Sequence, residues 1–79
     1  MNKRIIDYKY FFFIGIGGIG MSALARYFNS FGKRVAGYDR NSSVITDALI
    51  AEGCEISFED NKYKIPKSHL NIEDTIVIY

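Results

Sequence analysis

The stretch Phe13-Ile14-Gly15-Ile16-Gly17-Gly18-Ile19-Gly20-Met21-Ser22 sets a glycine-rich loop between a wholly apolar run and an amphipathic segment. Glycine tolerates positive φ and carries no Cβ, so such a loop turns sharply out of a strand and brings bare backbone N–H groups close to an anion. A helix that opens on the loop adds unpaired N–H donors and the positive end of its dipole, which makes the junction a place for phosphate. The G-x-G-x-x-G spacing gives each glycine a role: Gly15 for the tight turn, Gly17 for close backbone approach to phosphate, Gly20 for close packing of helix on strand. Gly18 is an additional glycine that flattens the loop further.

Upstream of the loop, Tyr8 to Ile14 is aromatic and β-branched with no polar alternation after Lys9, the pattern of a strand buried on both faces of a parallel sheet. Downstream, Ile19, Ala23, Leu24, Tyr27, Phe28 and Phe31 recur at intervals of three and four, which predicts a helix burying that face and stopped by Gly32. Arg34 to Asp39 reads as a second strand, and Arg40-Asn41-Ser42-Ser43 as a loop. Ser42 or Ser43 then caps a helix carrying Val44, Ile45, Ala48, Leu49 and Ala51, closed by Gly53. Glu55 to Phe58 is a third strand. Glu59 to Asp74, with the only proline, Pro66, is expected to be loop with at most a short helix, and Thr75 to Tyr79 is again a buried-strand run.

Alternating strands and helices imply an α/β fold: a Rossmann-like parallel sheet of order 3-2-1-4 with flanking helices and right-handed crossovers. Doubly wound domains continue to further strands, so a chain closing on a buried strand is expected to be a truncated piece of a larger protein. Residues 1–79 make one domain, and a chain of this size buries only about 60 to 65% of its unfolded surface.

Composition narrows the function. A hydrophobic fraction of 48% is ordinary, and a formal charge of +1 offers no electrostatic footprint for nucleic acid. The single cysteine, Cys54, forms no internal disulfide, which suits a reducing cytosol. Lys3 and Arg4 before an apolar stretch, with Ala23-Leu24-Ala25 beyond it, superficially resemble a secretory leader, but Asp7, Lys9 and four glycines interrupt the apolar region. No apolar run approaches the roughly 20 residues that span a bilayer. The expectation is a cytoplasmic protein with no membrane partner; a homodimer covering an exposed sheet edge stays open.

Asp39 follows Gly20 by 19 residues at the end of the second strand, matching the roughly 20-residue spacing of an acid that accepts hydrogen bonds from ribose hydroxyls. The same carboxylate would equally serve to cap the turn at Asn41 and Ser42. Ser22, in the first helical turn, either reaches a phosphate or stabilises the turn. Arg40 reads as a solvated loop charge, Phe11-Phe12-Phe13 as core, His69 as a surface histidine and Cys54 as a small buried side chain. No arrangement of nucleophile and base or of paired carboxylates supports catalysis, and there is no G-x-x-x-x-G-K-[ST] loop for ATP. At this level the pattern points to a nucleotide or dinucleotide without choosing which: an NAD-binding domain of an oxidoreductase and a nucleotide-sensing regulatory domain of a transport protein both stand.

The run Phe13 to Ala25 resembles the N-terminal signature of the Mur ligases, within them the branch that joins L-alanine to UDP-N-acetylmuramate. The likeness continues through Val35-Ala36-Gly37-Tyr38-Asp39, Ser42, Ser43, Thr46, Leu49, Gly53, Cys54-Glu55-Ile56 and Asp74 to Tyr79. The resemblance implies a Rossmann-like first domain that holds the UDP part of a sugar nucleotide rather than NAD. A central domain binding ATP and magnesium and a third binding the amino acid would follow. It also implies an ADP-forming ligase in which ATP activates the muramoyl carboxylate as an acyl phosphate and the amine of L-alanine displaces phosphate. Carried onto this sequence, the substrate-binding residues are Gly15, Gly17, Gly18, Ile19 and Gly20 at the diphosphate, with Asp39 and Ser43 near the uridine. No catalytic residue falls within the chain, and no cofactor is expected to bind this piece alone.

Overall fold

The computed structural model describes residues 3–59, 66, 69 and 73–79. The aromatic run forms β1 (Tyr10–Ile14), two residues shorter than its pattern suggests because Ile5–Asp7 makes a 3-10 turn ahead of it. The chain continues through α1 (Ile19–Ser30), β2 (Arg34–Tyr38), α2 (Val44–Ala51), β3 (Glu55–Ser57) and β4 (Thr75–Ile78). All pairings are parallel and the sheet order is β3-β2-β1-β4, the expected half of a doubly wound fold. The expected loop between β3 and β4 lies largely outside the described residues.

Register explains the core. Phe13 pairs with Gly37 and Phe11 with Val35, so Phe11, Phe13 and Val35 point to the helix side, where Ile16, Ala25, Phe28, Leu49 and Cys54 complete a buried cluster. Phe12 and Ala36 point the other way and are also buried. The phenylalanine triple is core on both faces, as a central strand requires.

Two faces differ from the sequence reading. On α1 the buried residues are Ser22, Ala25 and Phe28, whereas Ile19, Leu24, Tyr27 and Phe31 are exposed. The sheet supplies the bulk here, so the helix presents small side chains where it approaches closely and one ring, Phe28, that stacks on Phe11 at 4.1 Å. β4 is not buried on both faces either: Ile76 and Ile78 pack against the core while Val77 is 44% exposed on the opposite face.

His69 is buried rather than on the surface, with 4% exposure. Its Nε2 lies 3.1 Å from the Phe11 carbonyl oxygen and 3.0 Å from that of Arg34. Carbonyl oxygens only accept, so Nε2 carries the proton and donates to both strands. The Tyr10 ring packs against the imidazole at 5.3 Å.

Candidate functional site

The glycine loop lies at the carboxyl end of β1, between β2 on one side and β4 on the other. This is where connections leave the sheet in opposite directions, the crevice in which open α/β sheets take their ligands. Gly15 has φ of 82°, the left-handed turn that glycine makes without cost. Its N–H and that of Ile16 both donate to the Tyr38 carbonyl, at 2.8 and 3.0 Å, so the ladder between β1 and β2 runs on into the loop. Ile16 is fully buried and sits over Gly37. A Cβ at Gly37 would lie 2.6 Å from the Phe13 carbonyl oxygen and 2.7 Å from Ile16 Cδ1. Gly37 is therefore a site-shaping residue that motif reasoning missed; a glycine inside a strand opposite the loop was the available signal.

The two helix starts at this end of the sheet differ. At α2, Ser43 Oγ accepts from the Thr46 N–H and Thr46 Oγ1 accepts from the Ser43 N–H, a reciprocal cap reinforced by Asp47 in the first turn. At α1, Gly18 is the N-cap with no side chain to offer, and no acid lies in the first turn. Among the described residues nothing accepts from the N–H groups of Ile19, Gly20 and Met21. Gly18, Ile19 and Gly20 are exposed around them. Three convergent donors and an uncompensated dipole at one exposed point suit an anion.

Gly20 is not a packing glycine: a Cβ there would meet nothing within 4 Å. Ser22 and Ala25 carry the close approach to the sheet instead. Ser22 Oγ donates to the Ile19 carbonyl at 3.0 Å, so its hydroxyl serves the turn. Ser43 is committed to its cap, and Arg40 is an exposed loop residue. Asp39 faces inward: Oδ2 accepts from the Gly17 N–H at 2.7 Å and Oδ1 from the Asn41 N–H at 3.3 Å. Asp39 and Gly17, placed apart in the motif reading as ribose and phosphate groups, are brought together.

Cys54 is buried away from this edge, and burial, helped by Glu52, pushes its thiol up to about 11. It is a packing residue. Among the described residues no group of three or more His, Cys, Asp or Glu side chains is placed to hold a metal, and no helix is long and apolar enough to cross a membrane. With no lysine-bearing phosphate loop in the chain either, no step through ATP or magnesium follows from these residues.

Residues 11–78 match the model of the Mur ligase family, catalytic domain. The UDP-N-acetylmuramate--L-alanine ligase of Flavobacterium johnsoniae is 56% identical over 79 residues, covering 100% of this chain and 17% of that protein. Its namesake from Flavobacterium psychrophilum is 58% identical over 78 residues, covering 99% of the chain and 17% of the relative. That of Christiangramia forsetii is 53% identical over 78 residues, with 98% and 17% covered. The chain thus spans 17% of the length of these curated relatives. With the family's model matched from β1 through β4, on a sheet of the expected order, the chain belongs to the Mur ligase family.

Proposed function

We propose that residues 1–79 are the UDP-sugar-binding, N-terminal domain of a three-domain cytoplasmic ligase that uses ATP and magnesium to join L-alanine to UDP-N-acetylmuramate in peptidoglycan precursor synthesis. One observation carries the site: the open N-terminus of α1, whose Ile19, Gly20 and Met21 amides find no acceptor among the described residues and which has no capping side chain or first-turn acid, while α2 beside it carries the Ser43–Thr46 cap and Asp47. The diphosphate of the sugar nucleotide is the anion that suits them, with Gly15, Gly17 and Gly18 shaping the approach and the uridine lying toward Asp39 and Ser43. The identity of 53 to 58% to ligases named for this substrate supports the choice of sugar nucleotide. The NAD reading rests on an Asp39 carboxylate turned to a ribose, and that carboxylate is turned to Gly17.

The test is turnover by the full-length protein. With ATP, magnesium, UDP-N-acetylmuramate and L-alanine it is expected to release phosphate and form the alanyl conjugate, and to release none when the sugar nucleotide is omitted. Phosphate release indifferent to the sugar nucleotide contradicts the proposal.

A further inference from the structure

Gly17 is hemmed in by other parts of the same chain. A Cβ built there would stand 2.7 Å from Asp39 Oδ2, 3.2 Å from Asp39 Cγ and 3.0 Å from Thr46 Cγ2. The space that a side chain would fill is taken by the Asp39 carboxylate and by the methyl of Thr46, itself fully buried in the first turn of α2. The Gly17 N–H points into that carboxylate at 2.7 Å, the short distance of a charge-assisted hydrogen bond. The second carboxylate oxygen takes the Asn41 N–H, which belongs to the loop leading into α2. One side chain thus joins the glycine loop to the loop between β2 and α2.

We propose that Asp39 is a positioning residue that acts through Gly17, and that Gly17 is glycine in order to admit this carboxylate rather than a phosphate. A phosphate brought to the Gly17 amide would have to displace a carboxylate of its own charge sign. The amides left to the anion are those of Ile19, Gly20 and Met21. Asp39 sets their direction by fixing the loop that precedes them, and its removal loosens the diphosphate site whether or not a ribose is present. This rests on the proposed UDP site for its ligand arm, while its structural arm stands on the free protein.

The experiment measures hydrogen exchange of the Gly17 amide in the free protein, and the affinities for UDP and for 2′,3′-dideoxyuridine diphosphate, in the unaltered full-length protein, Asp39→Ala, Asp39→Asn, Gly17→Ala and the Asp39→Ala/Gly17→Ala double variant. Asp39→Ala is expected to speed Gly17 exchange and weaken both nucleotides by the same factor, roughly tenfold or more for a lost hydrogen bond to a charged group. Asp39→Asn, which keeps an accepting oxygen in place, restores most of both. Gly17→Ala should reproduce the loss, and the double variant should lose no more than the worse single one, the non-additivity of two residues acting as a unit. A loss confined to UDP makes Asp39 a ribose contact and overturns the proposal, as does unchanged Gly17 exchange or additive losses. If Asp39→Ala does not fold, the exchange and affinities of Asp39→Asn and Gly17→Ala decide. If the unaltered protein binds neither nucleotide but its Gly17 exchange depends on Asp39, the UDP site fails and the positioning role stands.

Discussion

At Gly37 a Cβ would meet the Phe13 carbonyl oxygen at 2.6 Å and Ile16 Cδ1 at 2.7 Å, and neither can retreat easily: one is strand backbone, the other a fully buried side chain under the glycine loop. Gly37→Ala is therefore expected to cost about 1 to 3 kcal/mol, the range for overpacking a tight core, read from the urea midpoint. Cys54 makes the opposite kind of prediction. Its thiol, raised to about 11 by burial, is expected to ignore a disulfide reagent at pH 8 in the native protein and to react promptly in denaturant. Rapid labelling of the native protein would show that the residue is accessible. Sequence spacing placed Asp39 at the end of β2 but could not say which way it turns, because that depends on a missing Cβ at Gly17 and on the Asn41 amide.

At the scale of the element, α1 shows what periodicity leaves undecided. This helix carries apolar residues on more than one side, so intervals of three and four fit more than one face. Packing selects the face with Ser22, Ala25 and Phe28, because the sheet already projects Phe11 and Phe13 toward it. Phe28→Ala is expected to cost about 3 to 5 kcal/mol, as large-to-small changes in cores do. Tyr27→Ala, on the outer side at 54% exposure, should cost about 1 kcal/mol or less. Equal effects in chemical denaturation would restore the face expected from the sequence. Helix ends were more legible than helix faces: Gly32 and Gly53, with φ of 80° and 103°, sit where a C-terminal stop was expected. Ser43 caps α2 through a hydrogen bond whose chemistry is local.

For the whole molecule, strand order was readable because the glycines and the apolar runs agree on it, whereas the role of His69 was not, because its partners lie 58 and 35 residues away. Burial holds its imidazole below the ordinary value of 6.5, against the pull of the Arg34 and Phe11 carbonyls and the charge of Glu55. A base whose folded pKa is depressed favours the neutral form, so its stabilisation is complete above 6.5 and falls as the pH drops through that value. The single proton limits the slope to about 1.4 kcal/mol per pH unit. Unfolding by urea between pH 7.5 and 5.5 should show this loss, and His69→Gln, which keeps a donor without the titration, should flatten it. Asp7, whose carboxyl Arg4 holds below its usual range, keeps its contribution through this pH window and loses it only at more acid pH. An unchanged slope in His69→Gln would mean that other groups set the acid sensitivity. The fold's central consequence is the open start of α1 at the carboxyl edge of the sheet. Its most direct test is an amide-resolved NMR titration with UDP-N-acetylmuramate and, separately, with NAD. UDP-N-acetylmuramate is expected to bind the tighter and to move the Ile19, Gly20 and Met21 amides most; tighter binding of NAD, or saturation that leaves those three amides where they were, would contradict it.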